Sequence, residues 1–305
     1  MKQYNMKAVV IGGAGFIGSN LVDVLVDMGA EVIVIDNLST GNRDNINKSA
    51  KFFRVDICDE ISDLVTLFSG ADYVFHLAAL ARVQPSIKNP IEYNKNNVNG
   101  TLNVLWAAHI AGVKRVIYSA SSSAYGDSND LPFNENMPTN PMSPYGLQKL
   151  IGEQYCKMFS LVYGLETVSL RYFSVYGERQ TLDGQYRLVM GIFAKQKLNN
   201  EKLTITGDGE QRRDFTYVKD VVKANILAAK SEDVGNGEVI NIGNGSNISI
   251  NELADMFGGD REYIQPVIEP KETLADINKA YDLLGWKPTG NLSEWVKNYK
   301  ETLGI

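Results

Sequence analysis

The stretch that decides the fold is KAVVIGGAGFIG, residues 7–18, where a strand-like apolar run enters a glycine-rich turn. The segment after the turn, Phe16–Met28, has the apolar spacing of a helix. Gly12, Gly15 and Gly18 would allow a tight turn, a close backbone approach to a pyrophosphate, and close packing of helix on strand. Free N–H groups at the helix N-terminus would attract that pyrophosphate. The sequence therefore predicts a dinucleotide-binding unit at the start of the chain.

The same alternation of strand and helix continues through the first half of the chain. Buried parallel strands are predicted at Lys7–Ile11, Glu31–Ile35, Lys51–Val55, Asp72–His76, Lys114–Ser119 and Glu166–Tyr172. Helical patterns lie between them at Phe16–Met28, Asp59–Phe68, Asn97–Ala111 and Tyr145–Tyr163. This alternation is typical of an α/β, doubly wound (Rossmann) fold, in which helices cover both faces of a mostly parallel sheet.

The pattern is less regular after Tyr172. It predicts a loop at Gly177–Gln185, helices at Tyr186–Lys197, Val221–Ala229, Asn278–Leu284 and Leu292–Leu303, and strands at Leu203–Thr206, Asp214–Val218 and Val239–Ile242. We expect two domains. Residues 1–172, with about 214–242, would bind the dinucleotide, and residues 173–213 with 243–305 would form a smaller α/β substrate domain.

Composition narrows the possible classes of function. The chain has 305 residues, 44% of them apolar, and a net charge of −6, which argues against a nucleic-acid-binding face. Two cysteines without a CxxC pair, and two histidines, are too few for a structural zinc site or a disulfide framework, so we expect no metal. No apolar run is long enough to span a membrane, and no signal-peptide pattern begins the sequence. We expect a cytoplasmic protein.

Two acids follow predicted strands near the glycine-rich turn. Asp36 ends the strand Glu31–Ile35, at a separation from Gly12 that suits a carboxylate on the adenosine ribose 2′-OH. A carboxylate there would repel a 2′-phosphate, so the sequence favours NAD over NADP. Asp56 follows the third strand and would either reach the adenine or cap the strand end.

A tyrosine and a lysine stand one helical turn apart after the fifth predicted strand. Tyr145 and Lys149 would lie on one face of their helix. A free phenol has a pKa near 10, so a nearby ammonium would be needed to make Tyr145 a useful base at neutral pH. Ser121, Ser122 and Ser123, at the strand end before this helix, would hydrogen-bond the reacting oxygen.

The sequence resembles the extended short-chain dehydrogenase/reductases and, within them, the UDP-galactose/UDP-N-acetylglucosamine 4-epimerases, because the motifs of that family occur in it in the family's order. The resemblance covers nearly the whole chain. It rests on GGAGFIG (12–18), IDNLSTG (35–41), HLAAL (76–80), NNVNGT (96–101), SASSSAYG (119–126), SPYGLQK (143–149), RYFSVYG (171–177), GDGEQRRDF (207–215) and LLGWKP (283–288).

The resemblance implies tightly held NAD, a UDP-sugar substrate and a homodimer formed by the long helices. Catalysis would fall to Tyr145, Lys149 and Ser121. Cofactor contacts are implied for Gly12, Gly15, Phe16, Ile17, Gly18, Asp36, Asn37, Ser39, Gly41, Asp56, Ile57, Leu77, Ala78, Ala79, Asn96, Ser119, Tyr145, Lys149 and Tyr172. Substrate contacts are implied for Ser121, Ser122, Ser123, Tyr145, Ser174, Arg213 and Lys271, with Arg213 on the UDP pyrophosphate.

The chain departs from the family pattern at two places. Ser174 stands where the family usually has an asparagine that contacts the nucleotide sugar. The segment Glu269–Asp276 lacks about four residues, including an arginine that usually faces the pyrophosphate. Lys271 is the sequence's candidate replacement, although an ammonium does not reproduce a bidentate guanidinium.

The sequence also leaves functions other than a UDP-galactose/UDP-N-acetylglucosamine 4-epimerase open. A 4,6-dehydratase or decarboxylase would usually carry an acid beside the catalytic serine, and Ser122 and Ser123 offer none. A UDP-glucuronate 4-epimerase or a 4-keto-sugar reductase would fit the same motifs, and so would an inactive NAD-binding scaffold. His76, after the fourth predicted strand, is interpreted as a packed structural histidine.

Overall fold

The computed structural model of the chain describes residues 6–128, 130–182 and 187–305. Its strands are β1 Lys7–Ile11, β2 Glu31–Ile35, β3 Lys51–Phe53, β4 Tyr73–His76, β5 Arg115–Ser121, β6 Glu166–Tyr172, β7 Val175–Tyr176, β8 Leu203–Thr206, β9 Arg212–Arg213, β10 Thr216–Tyr217, β11 Asn236–Ile242, β12 Ile248–Ser249 and β13 Arg261–Ile264. Its α-helices are α1 Phe16–Asp27, α2 Ile61–Phe68, α3 Val83–Lys88, α4 Pro90–Asn94, α5 Gly100–Ile110, α6 Pro144–Tyr163, α7 Val189–Leu198, α8 Val218–Lys230, α9 Ile250–Phe257, α10 Asn278–Leu284 and α11 Leu292–Leu303.

Seven strands form one parallel sheet in the order β11-β6-β5-β4-β1-β2-β3. The order reverses between β1 and β4, so the carboxyl ends of these two strands border a crevice of the kind in which open α/β sheets bind ligands. The prediction of a doubly wound α/β fold is confirmed. β1, β2 and β6 have the predicted bounds.

Alternate residues of each strand fill two separate cores. On β1, Ala8 and Val10 belong to the core beneath α1 and α8, whereas Val9 and Ile11 belong to the core beneath α2, α5 and α6. This two-sided burial explains why the strands are almost continuously apolar rather than alternating. The helices therefore hold the crevice edge from both faces of the sheet.

The second half of the chain forms smaller elements around its own core. α7, the parallel pair of β8 and β13, and α9 enclose buried residues such as Phe193, Leu253 and Phe257. The sequence missed α9 and β13. The predicted strand Asp214–Val218 is wrong at its end, because Val218 begins α8. The predicted helix start at Tyr186 and the last residues of the Gly177–Gln185 loop lie outside the described residues.

The C-terminal part of the chain packs against two of the cores. Ala280 and Leu284 of α10, with Trp286, lie in the core beneath α1 and α8, whereas Val296 of α11 lies in the core around α7 and α9. Trp286 is fully buried and its indole N–H donates to the carbonyl oxygen of Asp220 at 2.9 Å. Among the residues that the structure describes, no helix is long and apolar enough to cross a bilayer.

A buried ion pair connects α6 to β6. Arg171 donates through Nε and Nη2 to the two carboxylate oxygens of Glu153, at 2.9 and 2.7 Å. Their side chains are only 4% and 1% exposed. Burial raises the pKa of Glu153, and the guanidinium opposes that rise. The pair therefore fixes the register of α6 on the sheet at the cost of desolvating two charges.

We predict that Arg171→Met lowers the free energy of unfolding by about 3–5 kcal/mol, because it leaves Glu153 buried without its partner. Chemical denaturation at neutral pH measures this change. The control is Lys51→Met, which removes an exposed pair with Glu31 and should leave stability nearly unchanged. Equal effects of the two substitutions would contradict the assignment.

Candidate functional site

A cleft of about 700 Å³ opens at the carboxyl ends of β1 and β4, where the strand order reverses. Most of the predicted site residues line it. They are Gly12, Gly15, Phe16, Ile17, Gly18, Asp36, Asn37, Ser39, Ile57, Leu77, Ala78, Ala79, Asn96, Ser119, Ser121, Ser122, Ser123, Tyr145, Lys149, Tyr172 and Ser174. The fold thus brings together residues that span some 160 positions of the sequence.

The glycine-rich turn is held so tightly that Gly12 and Gly18 leave no room for a side chain beside the backbone. Gly12 has φ +82°, and a Cβ there would lie 2.7 Å from the backbone nitrogen of Ala78. A Cβ on Gly18 would lie 2.1 Å from the carbonyl oxygen of Gly12. Gly15 is different, because its nearest such contact is 3.2 Å away. Gly12 and Gly18 therefore serve the fold, whereas Gly15 keeps the mouth of the cleft open in front of α1.

Asp36 supports the same turn from the end of β2. Its carboxylate accepts the backbone N–H of Ala14 at 3.0 Å and that of Leu38 at 2.8 Å. Burial raises its pKa, and these two hydrogen bonds oppose that rise. Each carboxylate oxygen keeps a lone pair for a further donor. Asp36 can therefore hold the turn and still accept a ribose hydroxyl.

Two predicted cofactor residues do not line the cleft. Asp56 accepts the N–H of Cys58 at 2.9 Å and the Asn37 amide at 2.9 Å, so it stabilises the turn that follows β3 and orients Asn37. Gly41 packs behind Asp36, where a Cβ would lie 3.0 Å from both carboxylate oxygens. For these two residues the structure shows supporting contacts with residues that do line the cleft.

The first turn of α6 carries Tyr145 and Lys149 to the end of β5. Ser143 caps the helix by accepting the N–H of Gly146 at 3.1 Å. Gly146 lets the helix approach closely, because a Cβ there would lie 2.6 Å from the carbonyl oxygen of Ser123. Lys149 Nζ then reaches the carbonyl oxygen of Ser119 at 2.7 Å. These contacts place the phenol and the amine beside the serine-rich strand end.

Burial dominates the electrostatics of this group in the protein alone. It lowers the pKa of Lys149 to about 7. Burial also raises the pKa of Tyr145, and the groups that oppose this rise are the Ser121 hydroxyl and the Arg82 guanidinium. The expected effect of Lys149 on the phenol's pKa stays a prediction for the NAD-bound protein. Ser121 also accepts the N–H of Ser123 at 3.2 Å, which fixes its Oγ near the phenol.

A second, smaller pocket adjoins the cleft. Both are lined by Ser174, and Arg213 and Glu269 line the smaller one. Arg213 Nη2 lies 2.5 Å from Glu269 Oε2, and its side chain is 12% exposed. Arg213, which is predicted to bind the pyrophosphate, thus lies next to the cleft and is paired with the Glu269 carboxylate.

Lys271 lines neither of these two cavities, so the structure adds no support for its predicted role as a substrate-binding cation. Its backbone holds it in place instead. The N–H donates to Asp127 at 2.9 Å, and the carbonyl oxygen accepts the N–H of Arg212 at 3.0 Å. This pairing beside β9 leaves the lysine exposed at the surface.

Sequence analysis missed two arginines that line the cleft. Arg82 follows the HLAAL motif at φ +94°, and Arg179 follows β7 at φ +67°. Arg179 pairs with Asp23 of α1 at 2.6 Å, so the segment after β7 is attached next to the glycine-rich turn. No periodic pattern marks a loop arginine, although Arg82 stands two residues after the last residue of the HLAAL motif. His76 is fully buried and bonded to Thr101 at 2.9 Å, in agreement with a structural role.

The cleft fits a nicotinamide dinucleotide. The glycine-rich turn in front of α1 suits a pyrophosphate, Asp36 suits the adenosine ribose, and Lys149 and Tyr145 stand at the other end beside β5. A Rossmann sheet with a tyrosine and a lysine one helical turn apart at its switch point defines the short-chain dehydrogenase/reductases. The additional C-terminal unit makes this an extended member of that class.

Comparison with known proteins identifies the family. A model described as "NAD dependent epimerase/dehydratase family" matches residues 8–243. The chain belongs to this family. A curated relative, the putative UDP-glucose 4-epimerase of Methanocaldococcus jannaschii, is 42% identical over 96% of this chain and 99% of its own length.

Two solved structures show the same fold over almost the whole chain. The UDP-glucose 4-epimerase of Thermotoga maritima with UDP-glucose is 38% identical, with a TM-score of 0.92 over 98% of this chain and 100% of that one. The UDP-glucuronic acid 4-epimerase of Bacillus cereus with UDP-glucuronic acid and NAD is 34% identical, with a TM-score of 0.91 over 98% and 99%.

The glycines give a prediction that separates folding from binding. Gly15→Ala should lower stability much less than Gly18→Ala but weaken NAD binding at least about tenfold, because a methyl group there holds a phosphate away from charge-assisted N–H donors. Gly18→Ala should lower stability itself, because its Cβ meets the Gly12 carbonyl oxygen. Calorimetric NAD titration and denaturant midpoints measure the two effects. Full NAD affinity in Gly15→Ala would refute the role given to Gly15.

Proposed function

We propose that the protein is an NAD-dependent nucleotide-sugar 4-epimerase that acts on UDP-hexoses or their N-acetyl forms. The observation that carries the proposal is the placement of Tyr145, Ser121 and Lys149 together in the cleft that holds the dinucleotide fingerprint. The family membership and the UDP-glucose 4-epimerases at 38% and 42% identity support it.

The reaction needs only one proton-transferring group from the chain. Tyr145 takes the proton of the sugar C4 hydroxyl, and Ser121 donates a hydrogen bond that favours the phenolate. NAD, held by the glycine-rich turn, Asp36 and Lys149, would supply the redox chemistry of reversible hydride transfer at C4. Tyr145 then returns the proton to the oxygen on C4. Because the same phenol serves both directions, no second acid or base is required.

Inversion at C4 requires the keto sugar to turn over while the nucleotide stays bound. Ser122, Ser123 and Ser174 line the same cleft as Tyr145. Short hydroxyl side chains can bond a sugar in more than one orientation because their O–H groups rotate. Arg213, in the adjoining pocket, holds the diphosphate and keeps the substrate from leaving during rotation.

A UDP-glucuronate 4-epimerase is the second candidate. Ser174, in place of the usual asparagine, adds a third hydroxyl donor that suits a sugar carboxylate, and the Bacillus cereus enzyme is 34% identical over 98% of this chain. The sugar assay below includes this substrate and separates the two candidates.

We also propose which part of the chain binds each ligand, where the protein acts and how it assembles. Residues 1–172 with about 214–242 would bind NAD, residues 173–213 with 243–305 would bind the nucleotide sugar, and the protein would act in the cytoplasm. It would form a homodimer through α5 and α6, because their outer faces expose apolar side chains. These are Trp106, Ile110, Leu147, Leu161, Val162 and Tyr163.

The direct test is incubation with UDP-glucose, UDP-galactose, their N-acetyl forms and UDP-glucuronate, without added cofactor. We expect interconversion of at least one pair, and a loss of about 10²–10⁴-fold in Tyr145→Phe, the usual contribution of a general base. Product separation by chromatography measures both. Wild-type-like turnover in Tyr145→Phe would exclude the assigned base.

The pKa of Tyr145 gives a pH prediction. Burial raises this pKa, so the epimerisation rate should rise with pH as the phenolate forms. Ser121→Ala should move the midpoint of that rise to higher pH, because it removes the hydrogen bond that lowers the pKa. Rate–pH profiles measure the midpoints, and Ser122→Ala should keep that of the wild type. An unshifted midpoint in Ser121→Ala would remove Ser121 from this role.

The dimer proposal has its own test. Leu161 is 84% exposed on α6, so Leu161→Glu should not disturb the fold but should bury a charge in the proposed interface. We expect the protein to sediment as a dimer and Leu161→Glu as a monomer in analytical ultracentrifugation. Leu198→Glu, at an exposed position on α7, is the control and should remain dimeric. A dimeric Leu161→Glu variant would place the interface elsewhere.

A further inference from the structure

The diphosphate of a UDP-sugar would meet too little positive charge if Arg213 acted alone. A diphosphate ester carries about two negative charges, and two guanidinium groups are a common way to bind such a group. Arg213 is already paired with Glu269 at 2.5 Å, and that carboxylate also accepts from Thr206 at 3.1 Å. The adjoining pocket therefore needs a second cation.

The shortened Glu269–Asp276 segment does not provide that cation. Its lysine, Lys271, lines neither cavity and is held at the surface by its backbone hydrogen bonds. Arg179 and Lys149 line only the main cleft, and both have other partners, Asp23 and the Ser119 carbonyl oxygen.

Arg82 stands where the two cavities meet. Of the cations among residues 6–128, 130–182 and 187–305, it is the one that lines both. It lies at the N-terminal boundary of α3, and Ser86 of that helix accepts the backbone N–H of Tyr145 at 3.2 Å. The position of Arg82 is thus fixed relative to the catalytic group on one side and faces the Arg213 pocket on the other.

The backbone and surroundings of Arg82 also suit a binding role. Its φ of +94° is unfavourable for a residue with a Cβ, and such conformations are concentrated at ligand sites. Burial lowers the pKa of Arg82, but a guanidinium stays charged at neutral pH. A partly desolvated, permanent cation interacts strongly with an anion.

We propose that Arg82 is the second diphosphate-binding cation of this protein and takes the place of the arginine that the shortened segment lacks. The proposal rests on the proposed function, since it takes a nucleoside diphosphate as the ligand. Arg82 and Arg213 then hold the diphosphate from opposite sides, at the junction between the sugar end of the cleft and the adjoining pocket.

The test measures the binding of UDP and of uridine to the NAD-containing protein by calorimetry. Arg82→Met should weaken UDP binding about ten- to a hundredfold, the usual effect of losing charge-assisted hydrogen bonds, and leave uridine binding unchanged. Arg82→Lys should recover part of the affinity. Lys271→Met should match the wild type, as should Lys88→Met, which removes an exposed charge from α3.

The possible outcomes separate this role from the alternatives. UDP affinity within twofold of wild type in Arg82→Met would overturn the proposal, as would an equal loss for uridine, which indicates a purely structural role. An effect confined to UDP-glucuronate turnover would also overturn it, because it would assign Arg82 to a sugar carboxylate. A wild-type protein that binds UDP but interconverts no UDP-sugar would refute the proposed epimerase and still leave the Arg82 comparison valid.

Discussion

The close packing of α6 on β5 is the constraint on which the site depends. Gly146 and Gly152 lie where a Cβ would be 2.6 Å from the Ser123 carbonyl oxygen and 2.2 Å from the Tyr118 hydroxyl. Only glycine permits this approach, and only at this distance does Lys149 Nζ reach the Ser119 carbonyl oxygen at 2.7 Å. The phenol, the amine and the serine-rich strand end therefore come from one tightly packed helix–strand pair.

This arrangement lowers the stability of the fold, because it buries the polar groups that the reaction needs. Burial lowers the pKa of Lys149 to about 7 and raises that of Tyr145, so both charged forms are unfavourable in the protein alone. Ser121 and Arg82 lower the phenol's pKa in part, and the Arg171–Glu153 pair anchors the same helix. The site is thus built from buried polar groups whose charges are balanced across several elements, as is typical of catalytic centres.

Long apolar strands and the glycine-rich turn could be predicted from the sequence because their signals are local. β1, β2 and β6 were predicted to the residue, and the Tyr145–Lys149 spacing follows from helical geometry. α3 and β13 were missed, because the VQPSIK segment of α3 contains a proline and the REYI segment of β13 is mostly exposed, so neither shows an apolar pattern.

Site residues outside the regular elements are harder to predict, since their positions depend on contacts distant in sequence. Lys271 was chosen for its charge, and in the structure its backbone pairs with Arg212 and it lines neither cavity. Arg82 was overlooked because no sequence pattern shows that a loop residue at positive φ lies between two pockets. The sequence shows which residues are charged, whereas the fold determines which cavity their side chains line.

The most direct measurement follows a deuterium placed at C4 of the UDP-sugar substrate. In the proposed mechanism the same hydrogen leaves C4 and returns to it within one cleft, and only the hydroxyl proton passes through Tyr145. Mass spectrometry and NMR of the epimerised product should therefore find the deuterium retained at C4, with none exchanged into solvent water. Loss of the label to solvent, or its appearance at another carbon, would contradict the central claim.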